Sequence, residues 1–154
     1  MRERCAGPLP RGNETLAGMG SQGVELVRSF YLAWEEGDVE QLLSLVDRQV
    51  RWSPVLRFLH GERGAVGRED LRRWFRHVRI TYRSLRPVPQ HFEDHGARVL
   101  VLGRLLGASR LEEGDLDVFV AWVWTVRAGR IVAMEAFREE RKARQVIASR
   151  QGRR

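Results

Sequence analysis

From Tyr82 to Phe137 the apolar residues recur at every second position, whereas before Tyr82 they recur at intervals of three and four. That change of period restricts the chain to folds in which helices come first and a sheet follows. On the helical side, Val24, Val27, Phe30, Tyr31 and Trp34 predict a helix over Val24–Glu36, ended by Gly37. Asp38 is placed to cap a second helix, with Gln41 three residues on and Leu42, Leu43, Leu45 and Val46 as its buried side. A short strand is expected at Gln49–Ser53, stopped by Pro54. Residues 55–66 read as a loop or irregular strand, a candidate lid. A third helix starts near Arg68, with Glu69 and Asp70 in the first turn, where the helix dipole favours carboxylates. Its apolar stripe is Leu71, Trp74, Phe75 and Val78. On the other side, Tyr82–Glu93, Ala97–Ala108, Leu116–Val126 and Arg130–Phe137 read as four long strands, with Asp94-His95-Gly96 as one turn. Residues 138–149 suit a short closing helix. The expected class is α+β: three helices packed on a curved antiparallel sheet, forming a cone with an open end.

Composition removes several function classes. The 154 residues, 43% hydrophobic, suffice for one domain with one core. No apolar run approaches the roughly 18 residues of a membrane span. The N-terminus lacks the basic-then-apolar pattern of a secretory signal. No membrane partner and a cytoplasmic location are therefore expected. Cys5 is the single cysteine, which excludes an intrachain disulfide and argues against a cysteine metal site. The net charge of +7 invites a nucleic-acid reading, but residues 138–154 hold +5 of it and residues 1–21 hold +1. The body, 22–137, keeps only +1, too little for a phosphate-binding surface. The Gly- and Pro-containing residues 1–21 are expected to be a disordered extension, 22–148 the folded domain, and 149–154 a basic tail.

Four segments carry a resemblance: FYLAWEEGDVEQLLSLVDRQVRW (30–52), VGREDLRRWFRHV (66–78), ARVLVLGR (97–104) and VWTVRAGRIVAMEAF (123–137). In order and spacing they resemble the SnoaL-like group of the NTF2-like superfamily, which also holds ketosteroid isomerase, limonene epoxide hydrolase and polyketide cyclases. The resemblance implies a cone-shaped α+β barrel, a small-molecule pocket inside it, and a homodimer formed through the outer sheet face. It does not fix an activity, because this scaffold hosts enzymes and non-enzymes alike.

The last hairpin decides which way Glu135 faces. A two-residue loop at Ala128-Gly129 would set Trp122 opposite Glu135 and needs φ > 0 at Ala128. A three-residue loop, Arg127-Ala128-Gly129, needs only Gly129 to be left-handed. It sets Trp122 opposite Met134 and Trp124 opposite Val132. Val120, Trp122, Trp124, Val132, Met134 and Ala136 then share an apolar face, and Glu135 faces out with Ala121, Val123 and Thr125. The three-residue loop is the expectation, since the alternative strands a carboxylate among tryptophans.

The groups that perform chemistry in this superfamily are mostly missing. By the resemblance, the isomerase tyrosine, aspartate base and strand acid fall on Phe30, Ser53 and Trp122. Tyr31 is adjacent to the first but about 100° round the helix. Arg98 and Arg104 have no strand carboxylate two residues on, as epoxide hydrolysis would require. Glu139 at the pocket rim and His60 in the candidate lid remain as weak catalytic candidates for a cyclase- or isomerase-type enzyme. Whether the chain catalyses anything is left open. His60, His77, His91 and His95 show no metal-ligand spacing on one element, unless His91 and His95 come together at a strand end; neither a metal nor a cofactor is expected. The aromatics are the stronger signal. Tyr31, Trp34, Trp52, Trp74, Phe92, Trp122, Trp124 and Met134 are expected to line an apolar pocket for a small hydrophobic molecule. The alternatives are that the rings fill the cone, or that the domain serves as a dimerisation module through Ala121, Val123 and Thr125.

Overall fold

The computed structural model describes residues 21–55, 64–110 and 115–152. His60 and residues 1–20 lie outside them, as does most of the candidate lid. Helix α1, Ser21–Glu36, buries Val27, Phe30, Tyr31, Ala33 and Trp34 along the stripe its sequence spacing requires. Gly37, at φ 74°, terminates it: the Gly37 N–H donates to the Trp34 carbonyl at 3.0 Å and the Asp38 N–H to the Ala33 carbonyl at 2.9 Å. These are the two bonds of a Schellman stop, which only a left-handed C′ residue allows. Asp38 then starts α2, Val39–Ser44, its carboxylate accepting the Gln41 backbone N–H at 3.1 Å.

Strand β1 runs Val46–Ser53, three residues earlier than the sequence suggested. Val46, assigned above to the helix, is fully buried at the start of the strand. Its carbonyl accepts from Nε (3.2 Å) and Nη2 (2.8 Å) of Arg68, so a helix-start arginine clamps the β1 entry. After β2, Ala65–Val66, helix α3 spans Arg68–Thr81 and buries Leu71, Trp74, Phe75 and Val78, as expected. The long strands follow: β3 Tyr82–His95, β4 Arg98–Ser109, β5 Asp115–Arg127 and β6 Arg130–Phe137. The sheet order is β2-β1-β6-β5-β4-β3. It is unclosed, and antiparallel throughout except that β1 runs parallel to β6. The helices and the inner sheet face enclose the main core.

The β5–β6 hairpin corrects the expected loop. The turn has two residues, Ala128 at φ 53° and Gly129 at φ 75°, as a type I′ turn requires. The register shifts between Thr125 and Val126, and Val132 is the residue left over on β6. Trp122 pairs with Ala136, Trp124 with Met134 and Val123 with Glu135. The extra residue that the sequence reading placed in the turn sits in the strand as a bulge. Either placement restores the same phase, so Glu135 does fall on the outer face with Val123.

That outer face is not bare. Helix α4, Glu140–Gly152, lays Ala143 and Ile147 on Leu100, Ala121 and Val123, forming a second apolar cluster. Two of the three residues assigned above to a dimer face, Ala121 and Val123, are therefore covered by the chain's own helix. Glu93 fastens α4 to β3. Its carboxylate accepts from Arg144 Nη1 (2.9 Å) and Nη2 (2.7 Å), and sits 2.9 Å from His91 Nε2 and 3.0 Å from His95 Nε2. Arg144 also pairs with Glu140 at 2.7 Å. The bidentate Arg144 bond holds the Glu93 carboxyl far below its ordinary range, with His95 and His91 adding to it and partial burial opposing it. Because the folded-state pKa is depressed, the stabilisation is complete above the unfolded carboxylate value of about 4.3. It is lost as pH falls below that value towards the folded one. Glu93→Gln is expected to cost about 1–2 kcal/mol at pH 7. Denaturant unfolding at pH 7 and pH 3 checks this: the gap between wild type and variant should narrow at pH 3. An equal gap at both would mean that the carboxylate charge is not what holds α4.

Candidate functional site

The inner sheet face and helices α1 and α3 bring the expected aromatic residues into one cluster. Tyr31, Trp34, Trp52, Trp74, Trp122, Trp124 and Met134 are all buried in the main core, and Phe92 packs against it half-buried. The rings touch in series, mostly edge to face. Trp34 lies 6.0 Å from both Trp52 and Trp74, Trp52 5.9 Å from Trp124, and Tyr31 5.4 Å from Trp122 and 6.1 Å from Phe92. Phe30 fills the middle, 5.5 Å from Trp52 and 5.0 Å from Trp124.

Polar groups in this layer are few. The Trp124 indole N–H donates to the Tyr31 hydroxyl at 3.1 Å, and the Trp34 indole N–H to the Leu85 carbonyl at 3.1 Å. The buried Trp52 indole N–H has no acceptor among the described residues. Burial pushes the Tyr31 hydroxyl well above the ordinary phenol range, against a smaller opposing effect of the Trp124 bond. It stays protonated at neutral pH and is no base. Among the described residues no charged side chain is buried. Phe30 and Trp122, at the positions matched to the isomerase tyrosine and strand acid, are buried apolar rings. Ser53, at the base position, is half-buried at the end of β1.

Of the catalytic candidates, Glu139 lies in a shallow pocket of about 270 Å³ with Pro54, Phe137 and Lys142, and pairs with Arg141 at 3.2 Å. The exposed Arg141 guanidinium accounts for it as a surface ion pair. His60 is outside the described residues. His91 and His95 do come together at a strand end, but on the Glu93 carboxylate. Among the described residues no group of three His, Cys, Asp or Glu side chains is arranged to hold a metal ion.

Of the eight pocket residues, Trp34 also borders open space. A cleft of about 260 Å³ opens between the end of α1, α2, the end of α3 and the start of β3. Its wall is apolar: Trp34, Leu42, Phe75, Val78, Tyr82 and Leu85. Its rim carries Glu35, Arg79, Arg83 and Arg86, all exposed. Trp34 joins cleft to core, its ring in contact with Trp52, Trp74 and Phe75 and its N–H tied to the carbonyl of Leu85, which also lines the cleft. Sequence reading missed this site because its wall comes from four elements. The legible trace was the run Tyr82-Arg83-Ser84-Leu85-Arg86, where an arginine follows each apolar residue, immediately after a helix with Arg79 in its last turn.

No helix among the described residues is long and apolar enough to cross a membrane. Solved structures share the fold at low identity. An NTF2-like protein from Burkholderia pseudomallei is 23% identical, with TM-score 0.68 over 82% of this chain and 97% of its own. TerC, co-crystallised with polyporic acid, is 22% identical, with TM-score 0.66 over 82% and 98%. A protein of ketosteroid isomerase-like fold from Catenulispora acidiphila, in complex with trimethylamine, is 15% identical, with TM-score 0.65 over 73% and 84%. No curated protein matches the sequence. The SnoaL-like domain family matches residues 27–134, well over half of the chain, with all five tryptophans and the β5–β6 turn inside the match, and the protein belongs to that family.

Proposed function

We propose that this chain binds a small apolar molecule in the cleft beside Trp34, with the aromatic layer as the rigid wall behind it. The observation that carries the reading is the meeting of an apolar wall with open space at Trp34, Phe75, Tyr82 and Leu85. At about 260 Å³ the cleft is a little below the roughly 300–1,000 Å³ typical of pockets for drug-sized ligands, so the ligand is small. Two neighbours of this fold were solved with small organic molecules, polyporic acid in one and trimethylamine in the other, which is consistent at the level of the scaffold. Binding is favoured over catalysis because acid–base chemistry needs a titratable group beside the substrate. Among the described residues the cleft has one lining carboxylate, Glu35, exposed at the rim and facing Arg86 at 3.9 Å, and the aromatic layer behind it holds the protonated Tyr31 hydroxyl.

Tryptophan fluorescence titrated with small aromatic alcohols, quinones and medium-chain fatty acids tests the reading. Saturable quenching or a blue shift is expected for at least one class, weakened at least tenfold in Ser84→Phe. Ser84 is exposed on the cleft wall, so the added ring blocks the space without touching the core. A flat response across the panel, or binding indifferent to Ser84→Phe, would reject the cleft as the site.

A further inference from the structure

The geometry points to a ligand that is a small monocarboxylate: an apolar body seated on Trp34, Phe75 and Leu85, and a carboxylate held at the rim by Arg79 and Arg83. The inference rests on the cleft reading above and narrows it to a chemical class. Three guanidinium groups, on Arg79, Arg83 and Arg86, line the opening together with Glu35 and Ser84, over an apolar wall. A fourth arginine is drawn to the same edge, since Arg110 Nε donates to the Arg79 carbonyl at 3.0 Å. Against these cations stands, among the described residues, one lining carboxylate, Glu35, and it faces Arg86 at 3.9 Å. Among the described residues neither Arg79 nor Arg83 has an acidic partner. Other arginines are matched by acids, Arg72 by Glu40 and Glu69, Arg73 by Asp70, Arg104 by Asp117 and Arg144 by Glu93 and Glu140, while Arg48, Arg51, Arg76, Arg127 and Arg138 have no acidic partner among the described residues. What sets Arg79 and Arg83 apart is their place at an apolar opening. The body of the chain is nearly neutral, so an excess of cations at one apolar opening is local.

Arginine fits this task better than lysine would. Its planar fork presents paired N–H donors that match the two oxygens of a carboxylate. Adjacent low-dielectric wall strengthens the attraction relative to open water. A neutral ligand of the same shape would bury the same apolar surface and leave the guanidinium pair unused.

The matched probes are 2-naphthoate and 2-naphthamide, equal in shape and different in charge, titrated calorimetrically into the full chain at low ionic strength. The carboxylate is expected to bind at least tenfold more tightly. That preference should shrink to within about twofold in Arg79→Gln/Arg83→Gln, two exposed positions whose replacement leaves the core intact. Raising the salt to about 0.5 M should shrink it as well. Equal binding of both probes would overturn the carboxylate assignment while leaving the cleft reading standing. A preference that survives the double substitution would overturn it too, by placing the anion elsewhere. Failure of both probes to bind would remove the cleft reading and this inference with it.

Discussion

Trp124→Ala is expected to lower the unfolding free energy by about 4 kcal/mol, in the range of large aromatic deletions from a packed core. Trp124 is fully buried in the middle of the aromatic layer, 5.0 Å from Phe30, 5.3 Å from Tyr31 and 5.9 Å from Trp52. Its loss opens a cavity that three rings cannot close, because each is held by a further ring or a helix. It also removes the donor to the Tyr31 hydroxyl. For a domain of this size the melting temperature should fall by roughly 10 °C or more. The phenylalanine variants separate packing from hydrogen bonding. Trp124→Phe loses a made bond, whereas Trp52→Phe removes an N–H that has no acceptor among the described residues. Trp52→Phe should therefore be the milder of the two in denaturant unfolding. The reverse order would mean that the Tyr31–Trp124 bond contributes nothing.

Gly103→Ala is expected to cost about 3 kcal/mol through one added methyl group, the upper part of the range for overpacking. A Cβ at Gly103 would stand 2.2 Å from the Val88 carbonyl oxygen and 3.0 Å from the Pro89 Cα. Both are backbone atoms, which no rotamer change can move. Gly103 pairs with Pro89 on β3 and with Val120 on β5, so β4 has a strand on each side. The register of β3 shifts between Pro89 and His91, and the glycine makes room where the strand buckles inward. Chemical denaturation of Gly103→Ala with Gly129→Ala as a companion tests the cause. Gly129 has open space around its Cβ position, so its penalty comes from φ 75° alone and should be about 1 kcal/mol. A Gly103→Ala cost no greater than that of Gly129→Ala would show that the sheet can relax around the methyl group.

The elements of the fold were legible because their signals are local. The stripe Val24–Trp34, the Gly37-Asp38 stop-and-cap and the period of two after Tyr82 each occupy a few consecutive residues, and each formed as expected. The β5–β6 hairpin shows where local reasoning stops. Apolar phase required one extra residue between Trp124 and Met134, but phase alone cannot say whether it sits in the turn or in the strand. Ala128 at positive φ costs on the order of 1 kcal/mol, and the pairing gained by the tight turn outweighs it. The parallel β1–β6 pair and the covering of Ala121 and Val123 by α4 depend on contacts between segments some 80 and 20 residues apart, which no periodicity records. The site was half legible for the same reason. Composition announced the aromatic layer, while the cleft exists only once Trp34, Leu42, Phe75 and Leu85 are brought together from four elements.

The central claim is that a small ligand binds beside Trp34 and not against Trp122 and Trp124 inside the barrel. Its most direct test is the set of five indole N–H resonances followed by heteronuclear NMR as 2-naphthoate is added. Each tryptophan resonance is assigned by a single phenylalanine substitution. The predicted result is a saturable shift of the Trp34 resonance, with Trp122 and Trp124 unmoved because Phe30 and Trp52, each in contact with both Trp34 and Trp124, lie between. Shifts at Trp122 and Trp124 with Trp34 unmoved would contradict the account and place the ligand within the barrel.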